Sequence, residues 1–303
     1  MISSPPEFAA RRVRPEDAEA VAELAAAVAD RLGVRIDYGV EDIRSEWRRA
    51  DLERDAWAWE RESRLAAFAN VRSRGAKIGA NGFVHPDFLG RGLGTAILRV
   101  TEGRARERGA PKLENGILAA DRAAVALLQA NGYRDVRHYY KMVIGLEEPP
   151  PEPEWPDGLV PRPFEREHAH AFWAADDEAF ADEWEYEPEP FEEFVAKRLE
   201  RPGFDPGLWT AVWDGDEIAA TLIADRRSGV GWIAGLGVRR PWRRRGLGLA
   251  LLSRSFRQFY ERGERRVALS VDTDNLTGAT RLYERAGMHV EREEVLYEKE
   301  LAS

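Results

Sequence analysis

The strongest constraint on what this chain can fold into is that it contains one pattern twice. An apolar stretch, a turn carrying Gly-x-Gly and an amphipathic helix occur around Gly92 and Gly94 and again around Gly246 and Gly248, offset by 154 residues. Further on, the tripeptide NGY at 131–133 returns as AGM at 286–288, offset by 155. Two copies in a chain of 303 residues give each copy about half of it, enough to bury a core of its own. Between them lies EEPPPEPEWPD, Glu147 to Asp157, which its prolines hold extended and its acids keep solvated. The expected organisation is an N-terminal domain over 1–146, a linker over 147–157 and a C-terminal domain over 158–303.

Periodicity fills in each copy. In the first, residues 8–14 read as a strand, Pro15 to Gly33 as an alanine-rich helix, Glu41 to Ala50 as a second helix, and DAWAWERES and RLAAFANVRSRG as two strands. In the second, a strand at Leu159 to Phe164 leads to a helix near Glu167 to Ala175 and another reaching about Leu199. A hairpin follows at Asp214-Gly215 with a type I′ turn signal. Trp232 to Val238 and Arg266 to Val271 are the next strands. Ala279, Leu282, Tyr283 and Ala286 share the face of a helix that Gly287 closes. RHYYKMVIGL and EREEVLYEKEL read as closing strands. The order predicted for each copy is β-α-α-β-β-β-α-β-α-β-β, an α/β (α+β) class with two tandem domains.

The chain has no cysteine, which excludes disulfides, thiolate-bound zinc and a cysteine nucleophile. A net charge of −9 argues against nucleic acid as a partner. The first residues lack the apolar core of a signal peptide, and no run approaches a membrane span, so a soluble, cytoplasmic protein without a membrane partner is expected. Within this acidic chain, Arg239, Arg240, Arg243, Arg244 and Arg245 crowd one turn between Val238 and Leu247. A strand, a basic turn and a helix start leave backbone N–H groups pointing outward at the positive end of the helix dipole. The expected guest is an anion.

Arg243-x-x-Gly246-x-Gly248 resembles the pyrophosphate-binding motif of the GCN5-related N-acetyltransferases. Asn275, 27 residues after Gly248, and Tyr283 on the following helix resemble the second half of that family's cofactor site. The resemblance implies two tandem domains, each a mixed, mostly antiparallel sheet flanked by helices, with acetyl-CoA as acyl donor and no metal. It implies a cofactor site formed by Leu236, Gly237, Val238, Arg243, Arg244, Arg245, Gly246, Leu247, Gly248, Asn275 and Tyr283. In that family Asn275 would help hold the pantetheine arm, and Tyr283, beside the sulfur, would protonate the leaving thiolate. The tandem arrangement with a competent second half resembles the mycothiol synthases, which acetylate the amine of a cysteinyl pseudodisaccharide.

Only one copy keeps the polar groups. The positions matching Arg243, Asn275 and Tyr283 are Leu89, Ala120 and Leu128. The first copy is therefore expected to be a degenerate cofactor site and the second the catalytic one. Resemblance places the carbonyl donors at a bulge in the strand ending at Val238, with Gly237 either the bulge residue or a packing glycine. That strand offers no acid, which leaves Asp225, or an acid of the 182–187 stretch acting through water, as base. Asp182, Glu183 and Glu185, interleaved with Trp184 and Tyr186, either line a groove for a small-molecule amine, possibly cationic, or form a solvated face. A CoA-binding sensor or scaffold with a vestigial site, and a protein N-terminal or lysine acetyltransferase, remain as alternatives. A monomer, a pseudo-dimer of its own two domains, is expected.

Overall fold

The computed structural model describes residues 4–36, 39–74, 77–201, 203–227, 229–275 and 278–301. The first copy runs β1 (Ala9–Arg12), α1 (Ala18–Leu32), α2 (Val40–Trp47), α3 (Leu52–Asp55), β2 (Ala56–Arg61), β3 (Arg64–Arg74), β4 (Lys77–Val84), α4 (Leu93–Glu107), β5 (Lys112–Leu118), α5 (Arg122–Ala130) and β6 (Arg134–Gly145). The second runs β7 (Leu159–Pro163), α6 (Ala169–Phe180), α7 (Phe191–Phe194), β8 (Thr210–Asp214), β9 (Glu217–Arg227), β10 (Val230–Val238), α8 (Leu247–Glu261), β11 (Arg266–Asp272), α9 (Ala279–Arg285) and β12 (His289–Glu300). Apart from α3, which has no α-helical counterpart in the second copy, the helices and strands repeat in the same order, so the duplication is one of fold as well as of sequence.

Three local expectations need correction. Each copy closes in one long strand, β6 or β12, rather than two. The helix expected to reach Leu199 is the short α7 followed by a π-helical turn over Val195–Leu199. A type I′ turn needs positive φ at both central residues. Of Gly215 and Asp216 only Gly215 has it, at 58°, and the register slips one residue earlier, between Val212 and Trp213. Glu62 and Ser63, at 52° and 64°, do adopt that pattern between β2 and β3 although neither is glycine.

The chain divides into two compact units that cut across the sequence repeat. One comprises Met1–Tyr140, Asp272–Asp274 and Glu291–Ser303; the other comprises Lys141–Val271 and Asn275–Val290. In the first unit the strand order is β1-β2-β3-β4-β5-β12, and β12 runs antiparallel to β5 with Val295 opposite Ile117 and Tyr297 opposite Asn115. One apolar cluster of this unit holds Val21 and Leu24 of α1 with Ile43 and Trp47 of α2. A second holds Leu93 and Ile97 of α4 with Leu128 of α5, and Val295 and Tyr297 of β12. The chain's last strand thus belongs to the core of the first unit.

In the second unit the order is β7-β8-β9-β10-β11, with the Lys141–Gly145 half of β6 beside β11. Phe172 of α6 stacks on Trp209, and Phe194 of α7 meets the same ring edge-on. On α8, Leu247, Leu251 and Phe259 are buried. Gly231 of β10 lies so close to Phe259 that a Cβ would stand 2.7 Å from its ring. That is nearer than side-chain carbons approach, so the glycine is required by packing.

Candidate active site

The site begins where β10 parts from β11. Their parallel pairing joins Gly231, Trp232 and Ile233 to Val267, Ala268 and Leu269 and stops there. On its other edge β10 stays paired to β9 as far as Val238 opposite Ala220. From Ala234 to Val238 one edge of the strand therefore presents N–H and C=O groups with no strand partner among the described residues. Such an edge accepts an extended amide chain by strand addition.

At the same place the β9–β10 register shifts by one residue between Ile233 and Gly235. The extra residue is Ala234. A bulge leaves its residue unpaired and re-aims the backbone that follows. Of the two roles expected for Gly237, the packing glycine holds and the bulge residue does not, since Gly237 pairs regularly with Thr221. A Cβ on Gly237 would stand 2.8 Å from Ala179 Cβ and 3.1 Å from Thr221 Oγ1, so its lack of a side chain lets α6 lie against the strand.

Beyond Val238 the basic turn is divided between structure and ligand. Arg239 donates to Glu178 at 2.7 Å and to the Ile218 carbonyl at 2.9 Å. Arg240 pairs with Asp182. Arg243 donates to the Val238 carbonyl at 2.9 Å, to Asp182 at 2.9 Å and to the Ala179 carbonyl at 3.2 Å. The Arg243 side chain thus ties the turn to the end of α6, a different task from the direct anion contact its motif implies. Arg244 and Arg245 are exposed and make no ion pair among the described residues. Of five arginines, two are left for a ligand.

Arg244 has φ of 63° and Gly246 has φ of 88°, and nothing lies within 4 Å of where a Gly246 Cβ would be. The first N–H groups of α8 to find an acceptor are those of Leu249 and Ala250, both bonded to the Gly246 carbonyl at 3.1 Å. The N–H groups of Gly246, Leu247 and Gly248 are those a helix start leaves open. Gly248 has a second reason to be glycine: a Cβ there would meet Leu282 of α9 at 2.7 Å. Open N–H groups, two unpaired guanidinium groups and the dipole make this end of α8 fit a diphosphate, and the free edge of β10 fits an amide-bearing arm.

Asn275 follows β11, and its carbonyl accepts from the Gly278 N–H at 3.3 Å, shaping the entry to α9. Tyr283 on α9 is 8% exposed. Burial, and then the charge of Glu183, push its hydroxyl up to about 12. The hydroxyl therefore keeps its proton near neutral pH, where it is available to be given up.

Two acids expected to act on substrate are otherwise engaged. The Asp225 carboxylate is buried and pairs with Arg201 and, at 3.4 Å, with Arg227, so it is not placed as a free base. Hydrogen bonds from Arg240 and then Arg243 pull the Asp182 carboxyl down to about 2, and its charge is shared with those two guanidinium groups. The charge of Glu183 is felt at Tyr283, and Glu185 has φ of 48°. The sequence reading missed Ala234 and the Asp176–Thr221 pair, in which Thr221 Oγ1 donates to Asp176 at 2.7 Å. Glu165, Glu167 and His168 form a group with metal-ligand spacing among the described residues; the two glutamates are exposed, and the histidine lies in ion-pair range of both.

The first copy has the same turn and lacks the same opening. Gly90 and Gly92 have φ of 75° and 83°, matching Arg244 and Gly246. Parallel pairing of β4 with β5 also ends early, after Ala80 opposite Asn115. The β3–β4 register, however, runs from Arg74 opposite Lys77 to Ala67 opposite Val84 without a shift, so there is no bulge. Its helix start is covered as well. A Gly92 Cβ would lie 3.4 Å from Pro5, and Arg91 donates to Glu7 at 3.1 Å.

A profile of the acetyltransferase (GNAT) family matches residues 24–133 and 170–288, once in each copy, and the chain belongs to that family. It is an acetyl-CoA-dependent N-acetyltransferase. The chain is similar to a mycothiol acetyltransferase of Thermobispora bispora, 31% identical over 301 residues that make up 95% of this chain and 98% of the relative. A mycothiol acetyltransferase of Thermomonospora curvata is 33% identical over 240 residues, 77% of this chain and 78% of that one. Among solved structures, a GCN5-related N-acetyltransferase from Sphaerobacter thermophilus superposes with a TM-score of 0.90 at 38% identity, covering 99% of this chain and 98% of its own. A tandem GNAT protein from the clavulanic acid biosynthesis pathway shares the fold, with a TM-score of 0.75 at 17% identity over 98% of this chain and 99% of its own.

Proposed function

We propose that residues 158–303 carry the catalytic site and that it moves an acetyl group from acetyl-CoA directly to a primary amine of a small molecule. The observation that supports this most is that the bulge at Ala234 and an uncovered helix start occur together in the second copy and not in the first. Acetyl-CoA supplies the acyl group as a thioester and, on transfer, a thiolate to be protonated. In this reading Gly246, Leu247 and Gly248 hold the diphosphate through their N–H groups, with Arg244 and Arg245 adding charge. Leu236, Gly237 and Val238 pair with the pantetheine amides along the free edge, and Asn275 holds the same arm.

The N–H freed by the bulge donates to the carbonyl oxygen, where negative charge gathers during attack. A donor of that kind is worth about 3–4 kcal/mol. Tyr283 gives its proton to the departing sulfur. With no cysteine in the chain, the amine attacks directly and both reactants are bound together, so proximity contributes up to ~7–11 kcal/mol. The relatives named mycothiol acetyltransferase support a small-molecule amine as acceptor, and in this reading Glu183 with Glu185 draw its cation. The protein acts as a monomer in which the first copy supports the second.

Calorimetric titration with acetyl-CoA tests this. One site is expected. Arg244→Glu with Arg245→Glu should weaken it by ~10²-fold or more, since each charged contact is worth about 1.5–3 kcal/mol. Arg91→Glu should leave it unchanged. Two equal sites would place cofactor binding in both copies and overturn the assignment.

A further inference from the structure

Acetylation of an amine needs a proton acceptor, and many acids near the β10 bulge are held by cations. Asp225 pairs with Arg201 and Arg227, Asp182 with Arg240 and Arg243, and Glu178 with Arg239. Glu189 pairs with Lys197 at 3.2 Å and Arg198 at 3.4 Å, and Asp177 accepts the Tyr186 hydroxyl. A carboxylate in an ion pair is stabilised as the anion and is a weak base.

Asp176 on α6, like Asp177, has a neutral hydroxyl as its partner, and its own comes from β9. Its Oδ1 accepts the hydrogen bond from Thr221 Oγ1, a neutral group, and it forms no ion pair among the described residues. The side chain is half-buried, and among the described residues only its Oδ1 carries a hydrogen bond. Thr221 stands opposite Gly237 of β10, and the missing Gly237 side chain brings Thr221 Oγ1 and Ala179, one turn after Asp176, against the strand just past the bulge. No residue of β10 is acidic, and Asp225, opposite Trp232 on β9, is already paired with Arg201 and Arg227.

We propose that Asp176 is the catalytic base that takes the proton of the acceptor amine, with Thr221 as the residue that positions it. The proposal rests on the acetyltransferase reading of the second copy. The amine lone pair forms the C–N bond as the C–S bond breaks and its electron pair leaves on sulfur. Asp176 Oδ2 takes the N–H proton and Tyr283 supplies one to sulfur. Solvent then removes the first and restores the second.

Burial pushes the Asp176 carboxyl up to about 6. The Thr221 hydrogen bond and the charge of Arg198 act downward, and those of Asp177 and Glu189 upward. Because the folded value lies above the unfolded one of about 3.9, stability is lost as pH rises through the folded value. Asp176→Asn should therefore fold at least as well as wild type at pH 8.

The test uses full-length protein with acetyl-CoA and benzylamine, tyramine or glycinamide as acceptor probe. Asp176→Asn should lower kcat by ~10²-fold or more with KM for acetyl-CoA and melting temperature held. The acid limb of the kcat profile, centred near pH 6 in wild type, should vanish. Thr221→Val removes a hydrogen bond to the anion and should move that limb to higher pH, which a merely structural role would not do. Independently of turnover, the ¹³C carboxyl resonance absent from Asp176→Asn should titrate near pH 6 in wild type. Wild-type silence on all three amines counts against the acetyltransferase reading, and the carboxyl titration then decides the state of Asp176. Full kcat with the limb intact in Asp176→Asn, or a resonance titrating at the ordinary carboxyl value near 4, overturns the proposal.

Discussion

Tyr283 concentrates the chemistry of this chain at one atom. Its ring is needed for packing because it is 8% exposed on the buried side of α9. Its hydroxyl, raised to about 12 by burial and by Glu183, holds its proton near neutral pH. Phe keeps the ring and removes the hydroxyl. Tyr283→Phe should lower kcat by ~10²-fold or more, leave acetyl-CoA affinity close to wild type, and shift the melting temperature little, because the lost group has no hydrogen-bond partner among the described residues. Steady-state kinetics beside a thermal melt check this, and a Phe variant with full kcat removes the hydroxyl from the mechanism. If glutamate charge sustains the raised value, Glu183→Gln should not substitute for the tyrosine change, since it acts on the proton's affinity and not on its presence.

At the scale of elements, the two basic turns form a natural comparison. Gly90 and Arg244 hold the same place at φ of 75° and 63°, so the second copy puts a side chain where backbone geometry favours none. Left-handed backbone costs an L-residue about 1–2 kcal/mol. Arg244→Gly should therefore hold or raise the melting temperature while weakening acetyl-CoA binding about tenfold, the loss of one charged contact. Calorimetry and a melt on one preparation check both signs, and unchanged affinity would assign the arginine to solvent. The turn was legible in the sequence because each glycine marks a backbone need: Gly246 for its φ, Gly248 for the approach of Leu282, and the duplicated Gly92 and Gly94 for the same reasons. The bulge was not, because Ala234 carries no local signature and a one-residue slip is seen only against β9. Nor was the division of five arginines, since Arg239, Arg240 and Arg243 are claimed by Glu178 and Asp182 from the end of α6, some 60 residues away in sequence. The same pairing explains why Asp182 looked available to a substrate.

For the molecule as a whole, the repeat and the compact units differ by one strand at each end of the sequence copies. Residues 141–145 sit beside β11 in the second unit, and β12 lies on β5 in the first. Periodicity finds both strands but says nothing of which edge each one joins, because an edge is chosen by pairing partners distant in sequence. The physical consequence is that cutting in the Pro-rich segment 147–157 does not yield two complete units. Residues 1–146 alone lack β12, which removes Val295, Leu296 and Tyr297, each 5% exposed or less, and uncovers the edge of β5. Residues 158–303 alone lack Met142 and Val143, 0% and 2% exposed. Large core side chains contribute about 2–5 kcal/mol each, against a total of roughly 5–15 kcal/mol for a typical domain. Either fragment should therefore lose its cooperative melt, and 1–146 should aggregate through the bared edge. Circular dichroism melts and sedimentation of the two fragments beside the intact chain check this. A cooperative 158–303 fragment melting at the intact temperature and binding acetyl-CoA would show that the strand beside β11 is dispensable, and that the second copy stands alone.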